Sequence, residues 1–145
     1  MKKLITFSIC LFAILGFAKA DNDKPISWNE LPQKSQEFIK KYFPKNEVSF
    51  AKMENEIWDK TYEVVFTNGE KIEFNNKGEW KEIDCKLSSI PDALIPAAIK
   101  KHITEQFPQN KVVEIERDSK GYEIKLDNKL ELKYTPTFQL KEIDD

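Results

Sequence analysis

The side chains that could do chemistry in this chain are few. His102 is the only histidine, and Cys10 and Cys85 are the only cysteines. A structural zinc site needs four nitrogen or sulfur ligands, and a serine or cysteine triad needs a nucleophile, a base and an orienting group together, so one imidazole and two distant thiols assemble neither. Acids are abundant, 25 Asp and Glu in all. Hydrolysis by a carboxylate pair therefore stays open, although no two acids are singled out. Four glycines supply no phosphate-cradling loop. The expectation is a chain with no catalytic residue, no cofactor and no metal ligand set, in which an enzyme is the weakest reading.

The elements that would have to position any site follow from one stretch. Tyr62-Glu-Val-Val-Phe-Thr-Asn-Gly-Glu-Lys-Ile-Glu-Phe74 reappears as Tyr122-Glu-Ile-Lys-Leu-Asp-Asn-Lys-Leu-Glu-Leu-Lys-Tyr134, a shift of 60 positions. Each copy alternates apolar and polar residues around an Asn-containing turn, which is the pattern of a hairpin with one buried face. If Phe66 faces Glu70 with Gly69 left-handed, Val64 faces Ile72, Tyr62 faces Phe74, and Trp80 lies beside Phe74, so Tyr62, Val64, Ile72, Phe74 and Trp80 share a face. A two-residue Asn-Gly turn would put Val64 opposite Glu73 and split that set. Strands are expected at 48–57, 62–66, 70–75 and 79–84, with tight turns at 67–69 and 76–78.

Leu31, Phe38, Ile39, Tyr42 and Phe43 form one helical stripe, ended by Pro44. Ser27 and Glu30 fit a capping box at its start, with Pro32 in the first turn. Ile95, Ile99, Ile103 and Phe107 repeat the stripe up to Pro108, and His102 falls where Phe38 stands. A partly buried structural histidine is the default there, and a catalytic base the alternative. The predicted fold is α+β: a tandem repeat of helix plus four-stranded antiparallel meander, about eight strands in all, helices on one face. Residues 27–86 and 87–145 would be the two repeats of one composite domain, after a flexible leader at 21–26.

Residues 1–20 read as a signal peptide: Lys2 and Lys3, an apolar run over 4–18, then Ala18-Lys19-Ala20 with the cut after Ala20. An uncleaved anchor competes, but the run is shorter than the roughly 20 residues a spanning helix needs. Cys10 would leave with the signal. Cys85 would then be a lone thiol, buried or free for an intermolecular bond. Loss of Lys2, Lys3 and Lys19 leaves 20 basic against 25 acidic side chains, a charge of −5. That balance disfavours a nucleic-acid partner.

Leu31-Pro32 and Phe43-Pro44, Tyr62-Glu-Val64, Asn68-Gly69, Ile72-Glu-Phe74 and Gly78-Glu-Trp80, with the weaker set Phe107-Pro108 and Tyr122-Glu-Ile124, resemble the secreted PepSY-like proteins described as beta-lactamase-inhibitor-like. The resemblance covers nearly all of the chain beyond the signal. It implies helix-plus-meander repeats in exported bacterial proteins, and inhibition or binding of extracytoplasmic enzymes. Lys129, Phe138 and Leu140 stand where Gly69, Gly78 and Trp80 stand, so the second copy departs from the pattern. No site motif is carried over.

On the outward sheet face, Glu123 should oppose Lys133, and Lys125 should oppose Glu131, each pair stabilising by at most about 1 kcal/mol. The equivalent face of the first copy sets Glu63 against Glu73, with Val65, Lys71, Lys81 and Ile83 near by. Ile57 and Trp58 lie near the tip of the longer hairpin, where an aromatic could enter a partner's cleft; a Trp folded back onto the sheet edge is the plainer reading. Trp28 reads as packing. The expected function is an exported non-enzymatic protein-binding or inhibitor-like module, using Ile57, Trp58, Glu63, Val65 and Glu73, with no stable membrane anchor after signal cleavage. The alternatives are a small-ligand or cation binder, in which Glu63 and Glu73 share a hard cation, and a structural envelope protein with its sheet edges as pairing templates.

Overall fold

The structure, a computed structural model, describes residues 23–145. The signal-peptide reading of residues 1–20 lies outside the described residues. Nine strands form one antiparallel sheet in strict sequence order: β1 (Asp23–Ile26), β2 (Val48–Asn55), β3 (Lys60–Phe66), β4 (Lys71–Phe74), β5 (Trp80–Asp84), β6 (Val112–Asp118), β7 (Gly121–Leu126), β8 (Glu131–Tyr134) and β9 (Leu140–Asp144). Two helices, α1 (Gln33–Tyr42) and α2 (Ala97–Gln106), follow β1 and β5.

The expected α+β tandem of helix-plus-meander repeats is corrected by this topology. The fold is mostly β, 21% helical, a single meander of nine strands rather than about eight. Two pairings account for the difference. β5 bonds directly to β6, with Glu82, Ile83 and Asp84 opposite Glu116, Ile115 and Glu114, so no break divides the sheet. Asp23–Ile26, expected as a loose leader, is the edge strand β1, paired with β2 from Asp23↔Glu54 to Ile26↔Ala51. Pro25 is admissible there because an edge strand leaves one row of amides unpaired.

The hairpin registers are those that the apolar pattern demands. Tyr62 pairs with Phe74 and Val64 with Ile72, and Phe74 pairs with Trp80. Phe66 N–H donates to Glu70 O at 2.8 Å, while Gly69 takes φ 90°, the left-handed turn residue that spares a Cβ its clash. In the later hairpin Lys129 adopts φ 74° at that position, and Glu123↔Lys133 and Lys125↔Glu131 pair as expected.

Both helices start after a proline, Pro32 or Pro96, and close on an aromatic, Phe43 or Phe107, whose N–H bonds Ile39 O or Ile103 O. Pro44 and Pro108 follow and cannot continue the ladder. The Ser27–Glu30 capping contact, Ser27 N–H to Glu30 Oε2 at 2.8 Å, belongs to a separate 3-10 turn, Trp28–Glu30, ahead of α1. The core lies between helices and sheet: Phe43 stacks on Phe66 at 5.7 Å, Phe38 meets Phe74 edge-on at 5.8 Å, and Ile99 and Ile103 are buried with Ile115, Ile124 and Leu132. Each such aliphatic or aromatic side chain contributes about 1.5–3 kcal/mol on burial. The opposite sheet face is left to polar residues and solvent.

Candidate functional site

β2 and β3 pair outward from Val48↔Phe66 to Asn55↔Lys60. Beyond that rung Glu56 N–H donates to Asp59 O at 2.8 Å, and Asp59 Oδ1 accepts from Lys60 N–H at 2.8 Å. The closure leaves Ile57 and Trp58 as the two residues of the tip. They are 89% and 93% exposed, so the indole is not folded back onto the sheet edge. Short hairpin loops favour Asn-Gly or Gly-containing pairs. A branched aliphatic followed by an indole, both in water, forgoes the roughly 1.5–3 kcal/mol that burial of each would supply.

The outer face of the sheet carries the polar residues. Reading one row across the strands gives Lys52, Glu63, Glu73, Glu82, Glu116, Glu123 and Lys133, each opposite the next. The Glu63–Glu73 pair is less unbalanced than the sequence implies, because Glu63 lies 3.6 Å from both Lys52 and Lys71, and Glu73 lies 3.6 Å from Lys81. Val65 sits one row over, opposite Lys71 and Phe50, and Phe50 is 52% exposed. The structure thus brings Glu63, Val65 and Glu73 together. Ile57 and Trp58 stand apart from them, beyond the pairs Asn55–Lys60, Glu54–Thr61 and Met53–Tyr62.

Ile83, expected near this face, points the other way and is 0% exposed in the core. A register shift between Glu73 and Phe74 adds a residue to β5, and a bulge of that kind reverses side-chain parity beyond it. Glu82 takes the outward position. Burial pushes its carboxyl up to about 7, helped by Glu116, Glu73 and Glu114 and opposed by Lys71. Burial and then the Glu123 charge raise Glu116 in the same direction. These side chains form a flat row. Among the described residues no group of three His, Cys, Asp or Glu side chains is arranged to hold a metal ion.

His102 and Cys85, the candidate base and nucleophile, are both held within the fold. His102 Nδ1 lies 2.8 Å from Tyr134 Oη, with the rings edge-on, and burial pushes the Tyr134 phenol up to about 12. Cys85 is 1% exposed, and burial pushes its thiol up to about 12, far from the thiolate that reactivity requires.

Arg117, the one arginine among the 145 residues, sits at the end of a strand, a position that carries no functional mark of its own. It lies on the helix-side face of β6, opposite Tyr122 on β7. Its guanidinium Cζ is 3.7 Å from the Trp80 ring centroid, and its Nε–H donates to Trp80 O at 2.9 Å. The available signal was its rarity in a lysine-rich chain.

The family model described as "Putative beta-lactamase-inhibitor-like, PepSY-like" matches residues 60–142. Three solved structures are similar along most of the chain. A "putative calcium-regulated periplasmic protein" from Bacteroides thetaiotaomicron is 52% identical with a TM-score of 0.85, over 87% of this chain and 99% of that one. A "putative periplasmic protein" of the DUF2874 family from Bacteroides vulgatus is 50% identical, TM-score 0.84, over 87% and 99%. Another from Bacteroides vulgatus, described as of unknown function, is 38% identical, TM-score 0.81, over 85% and 99%. No curated protein matches the chain. Among the described residues no helix is long and apolar enough to cross a membrane.

Proposed function

This chain belongs to the PepSY-like, beta-lactamase-inhibitor-like family, and on that footing we propose that it is an exported, non-enzymatic module that binds a protein partner through the Ile57-Trp58 hairpin tip. The observation that carries the reading is the exposure of those two side chains, 89% and 93%, in a two-residue loop. Trp is enriched among the anchor residues of protein interfaces, and a rigid hairpin presents it with little ordering entropy left to lose. Val65 and Phe50 offer a second apolar patch on the outer face, with Glu63 and Glu73 as its charged rim. Export is supported by the lysine-led apolar stretch at residues 1–20 and by the periplasmic description of the similar proteins. The non-enzymatic reading is supported by the fixed, structural roles of His102 and Cys85.

The test is affinity capture from the native cell envelope with the wild type and with Ile57→Ser/Trp58→Ser. A partner retained by the wild type and lost by the variant, with the melting temperature unchanged, supports the assignment. Equal capture by both sinks it.

A second reading, a response to a divalent cation, is favoured by the five glutamates set side by side on β3 to β7 and by the description of the Bacteroides thetaiotaomicron protein as calcium-regulated. An upward melting shift with millimolar calcium that disappears in Glu82→Gln would support it. A melt indifferent to calcium removes it.

A further inference from the structure

The cleft floored by Trp80, Arg117 and Tyr122 has the makings of a ligand site distinct from the hairpin tip. A cavity of about 600 Å³ opens there, lined by Trp80 and Arg117 from the sheet, Tyr122 beside them, and Leu94, Ile95 and Pro96 from the segment that enters α2. That volume is in the range of small-molecule pockets, whose usual composition is an apolar wall with one or two fixed polar groups. Tyr122 and Phe138 extend the aromatic floor, with ring centroids 5.6 Å apart.

Arg117 is the fixed polar group. Its Nε–H is held by Trp80 O, and its plane is held against the Trp80 ring, so the guanidinium is positioned before any ligand arrives, at little further entropic cost. Burial lowers its pKa, opposed by Tyr122 and Glu79, and it stays a cation at any ordinary pH. Among the described residues no carboxylate lies within ion-pair distance of it. The neighbouring acids already have partners: Glu79 is 3.1 Å from Lys34 and 3.2 Å from Asn75 Nδ2, and Asp92, which lines the cavity together with Lys100, is 3.1 Å from that lysine. One uncompensated positive charge beside paired charges selects a monoanion over a dianion. A planar fork pairs bidentately with a carboxylate or a phosphate, and the single charge favours the carboxylate.

The geometry points to a binding site for an apolar monocarboxylate, in which the carboxylate meets the terminal N–H groups of Arg117 and the apolar portion lies between Tyr122 and the Leu94–Pro96 segment, against the exposed edge of Trp80. The same chemistry is presented by a free aryl or acyl acid and by the C-terminus of a polypeptide ending in an apolar residue.

A chain with one arginine gives one arginine Nε–Hε resonance, and single Trp→Phe variants tell the Trp80 indole from those of Trp28 and Trp58. The protein is titrated with 3-phenylpropionate, with its amide, and with acetyl-Ala-Phe as the free acid and as the C-terminal amide, while the Arg117 Nε–Hε and Trp80 indole signals are followed. The expected result is a saturable shift of both signals with an acid and a shift at least tenfold weaker with its amide. Saturation by phenylpropionate identifies a free acid as sufficient, and saturation by the peptide acid alone identifies a chain end. Arg117→Gln should abolish the acid-specific indole shift, and Arg117→Lys should weaken it by an order of magnitude. Shifts that are equal for acids and amides, or absent for all four ligands at millimolar concentration, overturn the site, and they do so in the wild type, whatever the variants' stability.

Discussion

Glu82 and Glu116 face one another across the β5–β6 pair, two glutamates side by side in the middle of the outer face. Glu73 and Glu123 flank them on β4 and β7, and neither Glu82 nor Glu116 has a lysine within ion-pair distance among the described residues. Burial first, and then the charges of neighbouring acids, disfavours the ionised form of each in the folded protein.

The pH dependence follows. Glu82 moves from 4.5 to about 7 on folding, so between those values the folded state holds more protons than the unfolded one and stability falls as pH rises. The urea midpoint should be higher at pH 5.5 than at pH 7.5, by on the order of 1 kcal/mol in free energy once solvent screening of these partly exposed groups is allowed for. Glu82→Gln should flatten the profile and stabilise the protein at pH 7.5. A midpoint that is constant or rises over this window would contradict the carboxylate pairing.

Gly121 opens β7 at φ 130°, and a Cβ there would overlap the Tyr134 carbonyl oxygen on the neighbouring strand. Gly121→Ala should destabilise by about 3 kcal/mol or more, as strain and overpacking combine. Gly69→Ala is the control: φ is 90° but the space around it is open, so only the left-handed backbone is penalised, at about 1 kcal/mol. Equal losses in chemical denaturation would show the close approach to be relaxed in solution.

Tyr134→Phe removes the phenol that meets His102 Nδ1 at 2.8 Å and leaves one half-buried ring nitrogen without its partner. The expected loss is about 1 kcal/mol, with any partner capture intact. Loss of capture at unchanged stability would instead give this pair a functional role.

The Cys85 thiol, buried and pushed up to about 12, should resist a thiol reagent at pH 8 in the native protein and react fully in urea. Rapid native labelling, or a disulfide-linked dimer without reductant, would place it at the surface.

How much of this was legible in the sequence depends on the range of the interactions. The β3–β4 register could be read because only one pairing puts Tyr62, Val64, Ile72 and Phe74 on one face. Strict alternation sets Ile83 on the outer face, but the bulge after Glu73 changes parity and sets Glu82 there instead. The strand at Asp23–Ile26 gave no signal of its own: four residues with a proline form a strand only because β2 offers an edge. The β5–β6 pairing joins residues separated by a helix and a long connection, which no local pattern encodes. The exposure of Trp58 was equally invisible, since an indole near a hairpin tip packs or protrudes according to what lies beside it. Arg117 carries no local signal because its role comes from Trp80, brought to it by that same long-range pairing.

The central claim, that the hairpin tip is the docking element, is tested most directly by site-specific photocrosslinking in the native envelope. A photoreactive phenylalanine at position 58 should give a discrete adduct with one partner, while the same group at Leu87, which is 73% exposed elsewhere on the surface, should give none. Identical adduct patterns from both positions, or an adduct from position 87 alone, would contradict the account.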